Sequence, residues 1–369
     1  MRYLLLCTCG ATVALALGVL PSATPTPAEG SIERIATLAT PRAVHTSTAL
    51  SSGELLVAGG LGPAEMSLST AELIDVSAGT VKTLAPMTQA RAGHTATALP
   101  DGRVVLAGGY NGEYLSSVEV FEPARKRFVM LGHLNEGRSG HTATLLPDGR
   151  ILIVGGVGRE WSFLSSAELF NPATGRSESV GSLSVPRESH TATLLMDGRV
   201  LIVGGHRGRR EAMEVYASAE LYDPAIRHFQ PTAQLTTPRH KHDAVRLSDG
   251  RVLVLGGADR TDRRYYASTE LYNPVSLSFE PGPSLASPRY KIQGTSVLLA
   301  NGDVLVSSGA RDAEILDRGS FIFHVVTGEF PTPFFFATAT PLSTGDVVIV
   351  GGYGPDSHNT GGVWRFRAR

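Results

Sequence analysis

The amino-acid sequence predicts an all-β fold, a single seven-bladed propeller of four-stranded antiparallel blades. A repeated segment, the turns inside it and the composition lead to this prediction. The segment is clearest at residues 140–156, GHTATLLPDGRILIVGG, and variants recur at intervals of about 50 residues. Only 18% of the 369 residues are charged, and 41 are glycine. That balance is typical of short strands joined by tight turns.

Each repeat divides into four short strands. The first is the HTATLL segment, and the second is an unbroken apolar run, as at residues 151–154, which is typical of a strand buried on both faces. Asp-Gly or Asn-Gly between them favours a type I′ hairpin, because both turn positions take positive φ. The third strand contains Glu-Leu-Tyr/Phe and ends at a turn such as Asn171-Pro172. The fourth strand is short and irregular, and no stretch has the apolar stripe of a helix.

The second glycine of the Gly-Gly pair, or its equivalent, marks seven units in chain order: Gly60, Gly109, Gly156, Gly205, Gly257, Gly309 and Gly352. One such unit cannot bury both faces of its sheet, whereas a ring of units can. The last unit, residues 337–369, has only three strands. We therefore expect residues 32–38, which resemble a fourth strand, to complete it and close the ring. Six blades is the alternative, because the sixth unit has Ser308-Gly309 in place of Gly-Gly.

These features resemble the Kelch-repeat β-propellers over about residues 31–369, including the double glycine and the Glu-Leu-Tyr/Phe that follows it. The family contains copper radical oxidases similar to galactose oxidase, which need a Tyr–Cys cross-link. Both cysteines of this chain, Cys7 and Cys9, precede the repeats. The repeats therefore have no cysteine for such a cross-link, and we expect no chemistry of the copper radical oxidases. The family also contains periplasmic sialic-acid epimerases, which would need an acid/base pair in the central cavity. No pair of carboxylates outside the repeat pattern stands out in the sequence.

The N-terminal residues 1–23 predict a signal peptide, with Arg2 before an apolar run that ends near small residues. An uncleaved anchor is the alternative, since about 18 apolar residues approach the length of a membrane span. Residues 24–30 read as a linker, and residues 31–369 as the propeller. We expect a secreted or periplasmic monomer with no cofactor and no membrane span after cleavage. The formal net charge of −1 argues against a nucleic-acid partner.

Five repeated histidines read as local hydrogen-bonding groups, because the ring separates them too widely for a shared metal: His45, His94, His141, His190 and His242. Each follows an arginine by three residues, and each unit that has the histidine also has the third-strand glutamate. We therefore predict a buried His/Arg/Glu contact in units 1 to 5. In units 6 and 7 the histidine positions align with Gly294 and Ala337, and the glutamate positions with Phe321 and Val363.

The binding face is predicted on the side that carries the loops after each Gly-Gly and the connections between units, because these segments vary most among the repeats. Basic and aromatic residues gather there in units 3 to 6. The candidate binding residues are Arg207, Arg209, Arg210, Arg239, His240, Lys241, Arg260, Arg263, Arg264, Tyr265, Tyr266, Tyr290 and Trp161. Arginine suits carboxylates, and tyrosine offers a stacking surface. The alternative is a set of solvated loops neutralised by Glu211, Asp259 and Asp262.

The sequence thus predicts a non-catalytic binding scaffold for a protein or glycan partner, with an anionic partner favoured. The alternative is a carbohydrate-active enzyme of the periplasm similar to the sialic-acid epimerases. No catalytic residue and no metal ligand is assigned.

Overall fold

A computed structural model describes residues 28–368 of the chain. The regular elements there are strands, apart from four short 3-10 turns at Pro63–Glu65, Pro123–Arg125, Arg159–Trp161 and Arg210–Ala212. No helix in this part of the chain has the length and apolar character to cross a bilayer. The predicted signal peptide and most of the predicted linker lie outside the described residues, so these boundaries stay a prediction.

The first five units each form a separate four-stranded antiparallel sheet. Their strands are Thr46–Ala49, Glu54–Ala58, Ala71–Asp75 and Thr80–Thr83 in unit 1; Thr95–Ala98, Val104–Ala107, Ser117–Glu122 and Arg127–His133 in unit 2; and Thr142–Leu145, Ile151–Val154, Ser166–Asn171 and Arg176–Ser182 in unit 3. They continue as Thr191–Leu194, Val200–Val203, Ala219–Asp223 and His228–Pro231 in unit 4, and Asp243–Arg246, Val252–Leu255, Thr269–Asn273 and Ser278–Pro281 in unit 5. A two-stranded ribbon, His206–Arg207 with Glu214–Val215, projects from unit 4.

The remaining strands form one continuous eight-stranded sheet. We divide it into unit 6, with strands Ser296–Leu298, Val304–Val306, Glu314–Leu316 and Phe323–Thr327, and unit 7, with Thr338–Pro341, Val347–Val350, Gly362–Ala368 and Ala28–Thr37. The division falls where Ala28–Thr37 pairs in parallel with Phe323–Thr327.

The N-terminal strand closes the ring, as predicted. Ala28–Thr37 runs antiparallel to Gly362–Ala368, so the two ends of the described chain share one sheet. It spans residues 28–37, compared with the predicted 32–38. The innermost strands of units 1 and 7 also contact each other. The prediction of an all-β propeller is therefore confirmed.

The core lies between neighbouring units rather than inside any one of them. The second strands are fully buried, and alternate side chains point to opposite neighbours. Leu152 and Val154 of unit 3 pack with Val200 and Ile202 of unit 4. Leu201, the residue between that last pair, packs instead with unit 5. Burial of each such side chain stabilises by about 1.5–3 kcal/mol, so neighbouring units depend on each other for their cores.

The repeated histidines join consecutive units. Each Nε2 lies 3.0–3.2 Å from the hydroxyl oxygen of a first-strand threonine in the preceding unit. The same bond between His45 and Thr338, 3.1 Å long, links unit 1 to unit 7. Burial, aided by a nearby arginine charge, lowers the pKa of His45, His141 and His190 to about 3. The histidines therefore act as neutral structural links.

The predicted buried contact is present for arginine and glutamate, and the histidine takes no part in it. In unit 3, Arg138 donates to Glu168 over 2.9 Å and also to the carbonyl oxygens of Gly155 and Ser166. Equivalent pairs, 2.6–3.1 Å long, are Arg42–Glu72, Arg91–Glu119, Arg187–Glu220 and Arg239–Glu270. Because the guanidinium also donates to the carbonyl of Gly155 at the sharp Gly-Gly exit, the pair fixes the geometry of the unit.

Units 6 and 7 require corrections to the predicted alignment. Unit 6 keeps the ion pair as Arg289–Glu314, 2.7 Å long, so Phe321 is not its counterpart of the glutamate. Ile292, rather than Gly294, occupies the histidine position, since it packs on Gly256 as His242 packs on Gly204. Extra residues after Ile292 and a short loop before Glu314 shift the register.

In unit 7 the glutamate position is Trp364 rather than Val363, because Trp364 pairs with Ile349 as Glu168 pairs with Ile153. Trp364 stacks on Phe334, which stands where the arginine stands elsewhere; their ring centroids are 5.4 Å apart and their planes 9° apart. An aromatic stack thus replaces the ion pair, and the histidine position is Ala337 as predicted.

Candidate functional site

The loops between second and third strands and the connections between units lie on one side of the propeller, because the strands alternate in direction. We call this side the loop face and the opposite side, with the Asp-Gly hairpins, the hairpin face. A cavity of about 480 Å³ opens on the loop face. Residues of all seven units line it, which places it at the axis of the ring. Its charged lining residues are Glu188, Arg209, Arg210, Lys241 and Asp262.

Seven residues form what we call the axial ring, one from each unit: Val44, Gly93, Gly140, Ser189, Lys241, Lys291 and Phe336. Each has a left-handed backbone conformation, with φ between 50° and 64°. The N–H of one residue donates to the carbonyl of the preceding one at six of the seven steps, as in Gly140 to Gly93 at 2.9 Å. Left-handed φ is uncommon outside glycine, so this backbone is held by its surroundings. The ring narrows the axis and supports the cavity.

A chain of polar side chains runs along one wall of the cavity. His206 Nε2 lies 3.8 Å from Glu188, and His206 Nδ1 lies 3.2 Å from His240 Nδ1. His240 Nε2 is 3.2 Å from Asp262, which also accepts a 2.6 Å hydrogen bond from Lys241 Nζ. These residues come from units 4 and 5 and from the connections that precede them, so only the folded ring brings them together.

The environment shifts the pKa values along this chain in different directions. Burial, together with the neighbouring His240 and Lys241, lowers the pKa of His206 to about 3. Burial alone would raise the pKa of Asp262, but hydrogen bonds from His240 and Lys241 outweigh it and hold that pKa well below its usual range. Burial raises the pKa of Glu188. Near neutral pH, His206 is therefore uncharged and Asp262 is ionised.

Aromatic rings flank the cavity on the side of units 2 and 3. The guanidinium of Arg209 lies 4.2 Å from the ring centroid of Trp161, a cation–π contact. Tyr114 meets the same ring edge-on at 5.9 Å, and Tyr110 lies 5.0 Å from Tyr114. Trp161 is 54% exposed although its neighbours hold it in place. This is a fixed stacking surface open to solvent.

A second group of aromatic rings surrounds Lys291 on the side of units 5 to 7. Tyr265 stacks on Tyr290, with centroids 3.8 Å apart and planes 7° apart. Tyr290 contacts Phe335, which in turn contacts Tyr353. The Nζ atom of Lys291 donates to the Tyr353 hydroxyl oxygen over 2.6 Å.

Four exposed arginines of the loop face have no carboxylate within 4 Å in residues 28–368: Arg210, Arg260, Arg263 and Arg264. Of the three carboxylates predicted to neutralise these arginines, two bind other groups and one makes no ion pair in the described chain. Asp259 accepts backbone N–H groups of its own loop, and Asp262 binds Lys241. Glu211 makes no ion pair in the described chain. The loops of units 4 and 5 therefore present uncompensated positive charge.

The structure brings most of the predicted binding residues to one sector. Arg209, Arg210 and Lys241 line the cavity, His240 lies buried behind it, and Trp161 flanks it. Tyr266 lies beneath Arg264, whose guanidinium is 5.8 Å from its ring. Arg207 pairs with Glu214 on the outer ribbon.

Besides the buried His240, two further predicted residues do not reach the surface. Arg239 is fully buried in its pair with Glu270, and Tyr290 is 8% exposed beneath Tyr265. The prediction treated Arg239 as part of a basic loop, although its place in the repeat also assigned it to the interior.

Sequence reasoning missed several residues of this region: Glu188, His206 and Asp262 as a connected set, and Lys291, Tyr353, Tyr110 and Tyr114. One signal pointed to Glu188. The position after each repeated arginine, or after Phe334 in unit 7, is Ala43, Ala92 and Ser139 in units 1 to 3, but Glu188, His240, Tyr290 and Phe335 in units 4 to 7. In units 4 to 7, this repeated position on the side of the cavity therefore carries a larger side chain than in units 1 to 3, and in units 4 to 6 that side chain is ionisable.

Within the described residues, no group of three or more His, Cys, Asp or Glu side chains has the arrangement of a metal site. The side chains that line or flank the cavity offer arginine and lysine donors, carboxylate acceptors, the imidazole of His206 and aromatic surfaces.

A family model described as the Kelch motif matches residues 90–135, the segment that contains unit 2 and the connection before it. The resemblance to the Kelch-repeat propellers is thereby confirmed. A search of curated proteins found no match to the chain.

Proposed function

We propose that this Kelch-repeat propeller is an exported, non-catalytic scaffold that captures an anionic partner on the loop face of units 3 to 5. Kelch propellers serve as interaction scaffolds, and the Kelch motif supports that general role here. The observation that carries the finer proposal is the set of unpaired, exposed arginines beside an exposed tryptophan. Arginine binds carboxylates through two parallel hydrogen bonds, and an exposed aromatic ring adds contact area that is common at binding hot spots.

The partner is proposed to be a carboxylate-bearing glycan or an acidic protein segment. Arg210, Arg263 and Arg264 supply charge, and the Trp161–Arg209 platform supplies a flat surface for a sugar ring or an apolar side chain. Near-neutral overall charge makes this sector stand out from the rest of the molecule. Binding should weaken as salt concentration rises, because the charges are exposed to solvent.

The test measures binding of polygalacturonate, polyglutamate and neutral dextran to residues 24–369 by biolayer interferometry. Arg210→Glu combined with Arg264→Glu should weaken binding of an acidic probe about tenfold, equal to about 1.4 kcal/mol. The matched control is Arg125→Glu combined with Arg318→Glu, which reverses two exposed charges on the hairpin face. Equal losses for both pairs, or no binding of either acidic probe, would overturn the proposal.

The proposed export rests on Arg2 and the apolar run that follows it. Intact-mass measurement of the protein recovered from the extracytoplasmic fraction should give a chain that begins near residue 24. A full-length mass would favour the uncleaved anchor.

A second candidate, the epimerase-like enzyme, is favoured by one specific feature of the cavity. Glu188 and His206 form a carboxylate–imidazole pair that the sequence pattern had not revealed, and the imidazole is uncharged near neutral pH. Such a pair can exchange a proton with a sugar. Incubation with α-N-acetylneuraminate, followed by NMR, tests this candidate. Faster mutarotation that Glu188→Gln abolishes would replace the scaffold proposal with an enzyme.

A further inference from the structure

Lys291 lies in an aromatic enclosure without a counter-ion. Its Nζ atom is 4.9–5.8 Å from the ring centroids of Tyr290, Phe335, Phe336 and Tyr353. Its hydrogen-bond acceptor is the neutral Tyr353 hydroxyl, at 2.6 Å. No carboxylate of residues 28–368 comes within 4 Å of this ammonium group.

The neighbouring lysine of the axial ring provides an internal comparison. Lys241 occupies the equivalent position one unit earlier, and its Nζ donates to Asp262 over 2.6 Å. Burial lowers the pKa of Lys291, against a smaller opposing effect of the more distant Asp262. The two lysines share a backbone conformation and a ring position, but of the two only Lys241 has a carboxylate of the described chain within 4 Å.

Lys291 lies next to the axial cavity, because its Nζ atom is 5.7 Å from the ring centroid of Phe336, which lines that cavity. Its backbone N–H donates to Lys241, and its carbonyl accepts from Phe336, and both of these neighbours line the cavity. The half-buried side chain is therefore close to a space large enough for a small molecule.

We propose that Lys291 is a reactive amine that condenses with a small aldehyde or ketone entering the axial cavity. Desolvation among apolar and aromatic groups is one of the ways in which proteins make a lysine nucleophilic at neutral pH. The inference does not depend on the capture of an anionic partner, because it concerns another sector of the loop face and a covalent step.

The reaction is a condensation without change of oxidation state. The neutral nitrogen of Lys291 attacks the carbonyl carbon, and the resulting carbinolamine loses its hydroxyl group as water to leave a C=N bond. Tyr353 is placed to donate a proton to the departing hydroxyl, and the proton released from the nitrogen restores the phenol. Burial raises the pKa of Tyr353 to about 12, so its hydroxyl keeps a proton to donate.

The chain has only four lysines, Lys82, Lys126, Lys241 and Lys291, so it supplies its own controls. The folded protein is incubated at pH 7 with glyoxylate and cyanoborohydride, which reduces the imine to a stable secondary amine. Peptide mass spectrometry then gives the extent of modification at each lysine over time. Lys291 should react severalfold faster than the exposed Lys82 and Lys126, because desolvation leaves more of its amine in the neutral, nucleophilic form.

Two variants make the test specific. Tyr353→Phe should slow modification of Lys291 severalfold and leave the other lysines unchanged, with folding checked by thermal melting. Lys82→Arg, on the outer strand Thr80–Thr83 of unit 1, should leave the rate at Lys291 unchanged. A rate at Lys291 no higher than at Lys82 and Lys126 in the wild-type protein would overturn the proposal, and an unchanged rate in Tyr353→Phe would overturn the role of the tyrosine.

Discussion

The two faces of the propeller use arginine in opposite ways. On the hairpin face, the arginine of each Asp-Gly-Arg turn binds the aspartate of the same turn. In unit 3, the side chain of Arg150 donates to Asp148 over 2.8 Å, and the backbone N–H of Arg150 donates to the same carboxylate over 3.0 Å. The turns of units 2, 4 and 5 repeat this arrangement. On the loop face, Arg210 and Arg264 have no such partner in the described chain. The residue type alone therefore does not indicate recognition. What distinguishes the loop face is that several unpaired arginines lie together beside the exposed Trp161, whereas Arg318 on the hairpin face has no ion pair in residues 28–368 but lies apart from such a platform.

This difference has a local cause. A two-residue hairpin holds the aspartate and the arginine next to each other, so the pair forms without help from the rest of the fold. Exposed pairs of this kind contribute about 0–1 kcal/mol. The loops of units 4 and 5 lack that turn, and their acids bind backbone or Lys241 instead. The positive charge there remains available to a partner.

The difference between the two faces exists only in the folded ring. The buried histidines determine how far the pH can fall before the ring loses stability. The unfolded chain binds protons near pH 6.5, whereas His45, His141 and His190 stay neutral in the fold down to about pH 3. Stability is therefore full above pH 6.5 and is lost as the pH falls from 6.5 toward 3, by about 1.4 kcal/mol per pH unit for each histidine. Thermal melting from pH 8 to pH 4.5 should show a steep decline. A flat profile would contradict it, and replacement of the exposed His228 by Ala should leave the profile unchanged.

A paired arginine in the interior should matter far more than one on either face. Glu168→Gln leaves the guanidinium of Arg138 buried beside a neutral amide, which should lower the free energy of unfolding by about 3 kcal/mol. Urea denaturation measures this, and binding to the loop face should survive. The matched control is Glu178→Gln in the same unit, which breaks an exposed pair with Arg227. Similar losses for the two variants would refute the structural role of the buried pair.

On the loop face, an aromatic platform should contribute to binding but not to stability. Trp161→Ala removes the ring beneath Arg209 and should weaken capture of an acidic probe about fivefold, equal to about 1 kcal/mol. Interferometry and thermal melting together check this result. Met196→Ala, which shortens a residue 74% exposed on the hairpin face, is the control. A fall in melting temperature without a change in binding would show that Trp161 is a structural residue.

The smallest effect is expected on the hairpin face. Asp148→Asn keeps the turn geometry and removes the charge that pairs with Arg150, so the free energy of unfolding should change by less than about 1 kcal/mol. Binding of acidic probes should stay the same, because the newly unpaired arginine lies on the other face. Stronger binding by this variant would show that unpaired charge attracts the probe wherever it lies, and would end the distinction between the faces.

The sequence predicted the repeat unit well because its turns are local. Asp148-Gly149 and Asn171-Pro172 set their strands by short-range chemistry, and the strands between them are found where the pattern placed them. Prediction failed in units 6 and 7, where Glu314 and Trp364 were not recognised. There the spacing changes, and only strand pairing shows which residue replaces the glutamate.

The candidate site was predicted in part. Arg209, Arg210, Lys241 and Trp161 share a sector because the loops that carry them follow the same strand end in successive units. The connection of Glu188 to His206, and of Lys291 to Tyr353, could not be read from spacing. The last pair is 62 residues apart in the chain, and its contact depends on the rotation between neighbouring units.

The sequence by itself determined the all-β propeller, its repeated four-stranded unit and the N-terminal strand that closes it, because turn chemistry and apolar periodicity act over a few residues. Only the tertiary structure decided which arginines are buried, which are locally paired and which are free, and which side chains meet at the axis. Those properties depend on distances between units, and a distance between units is set by the packing of the whole ring.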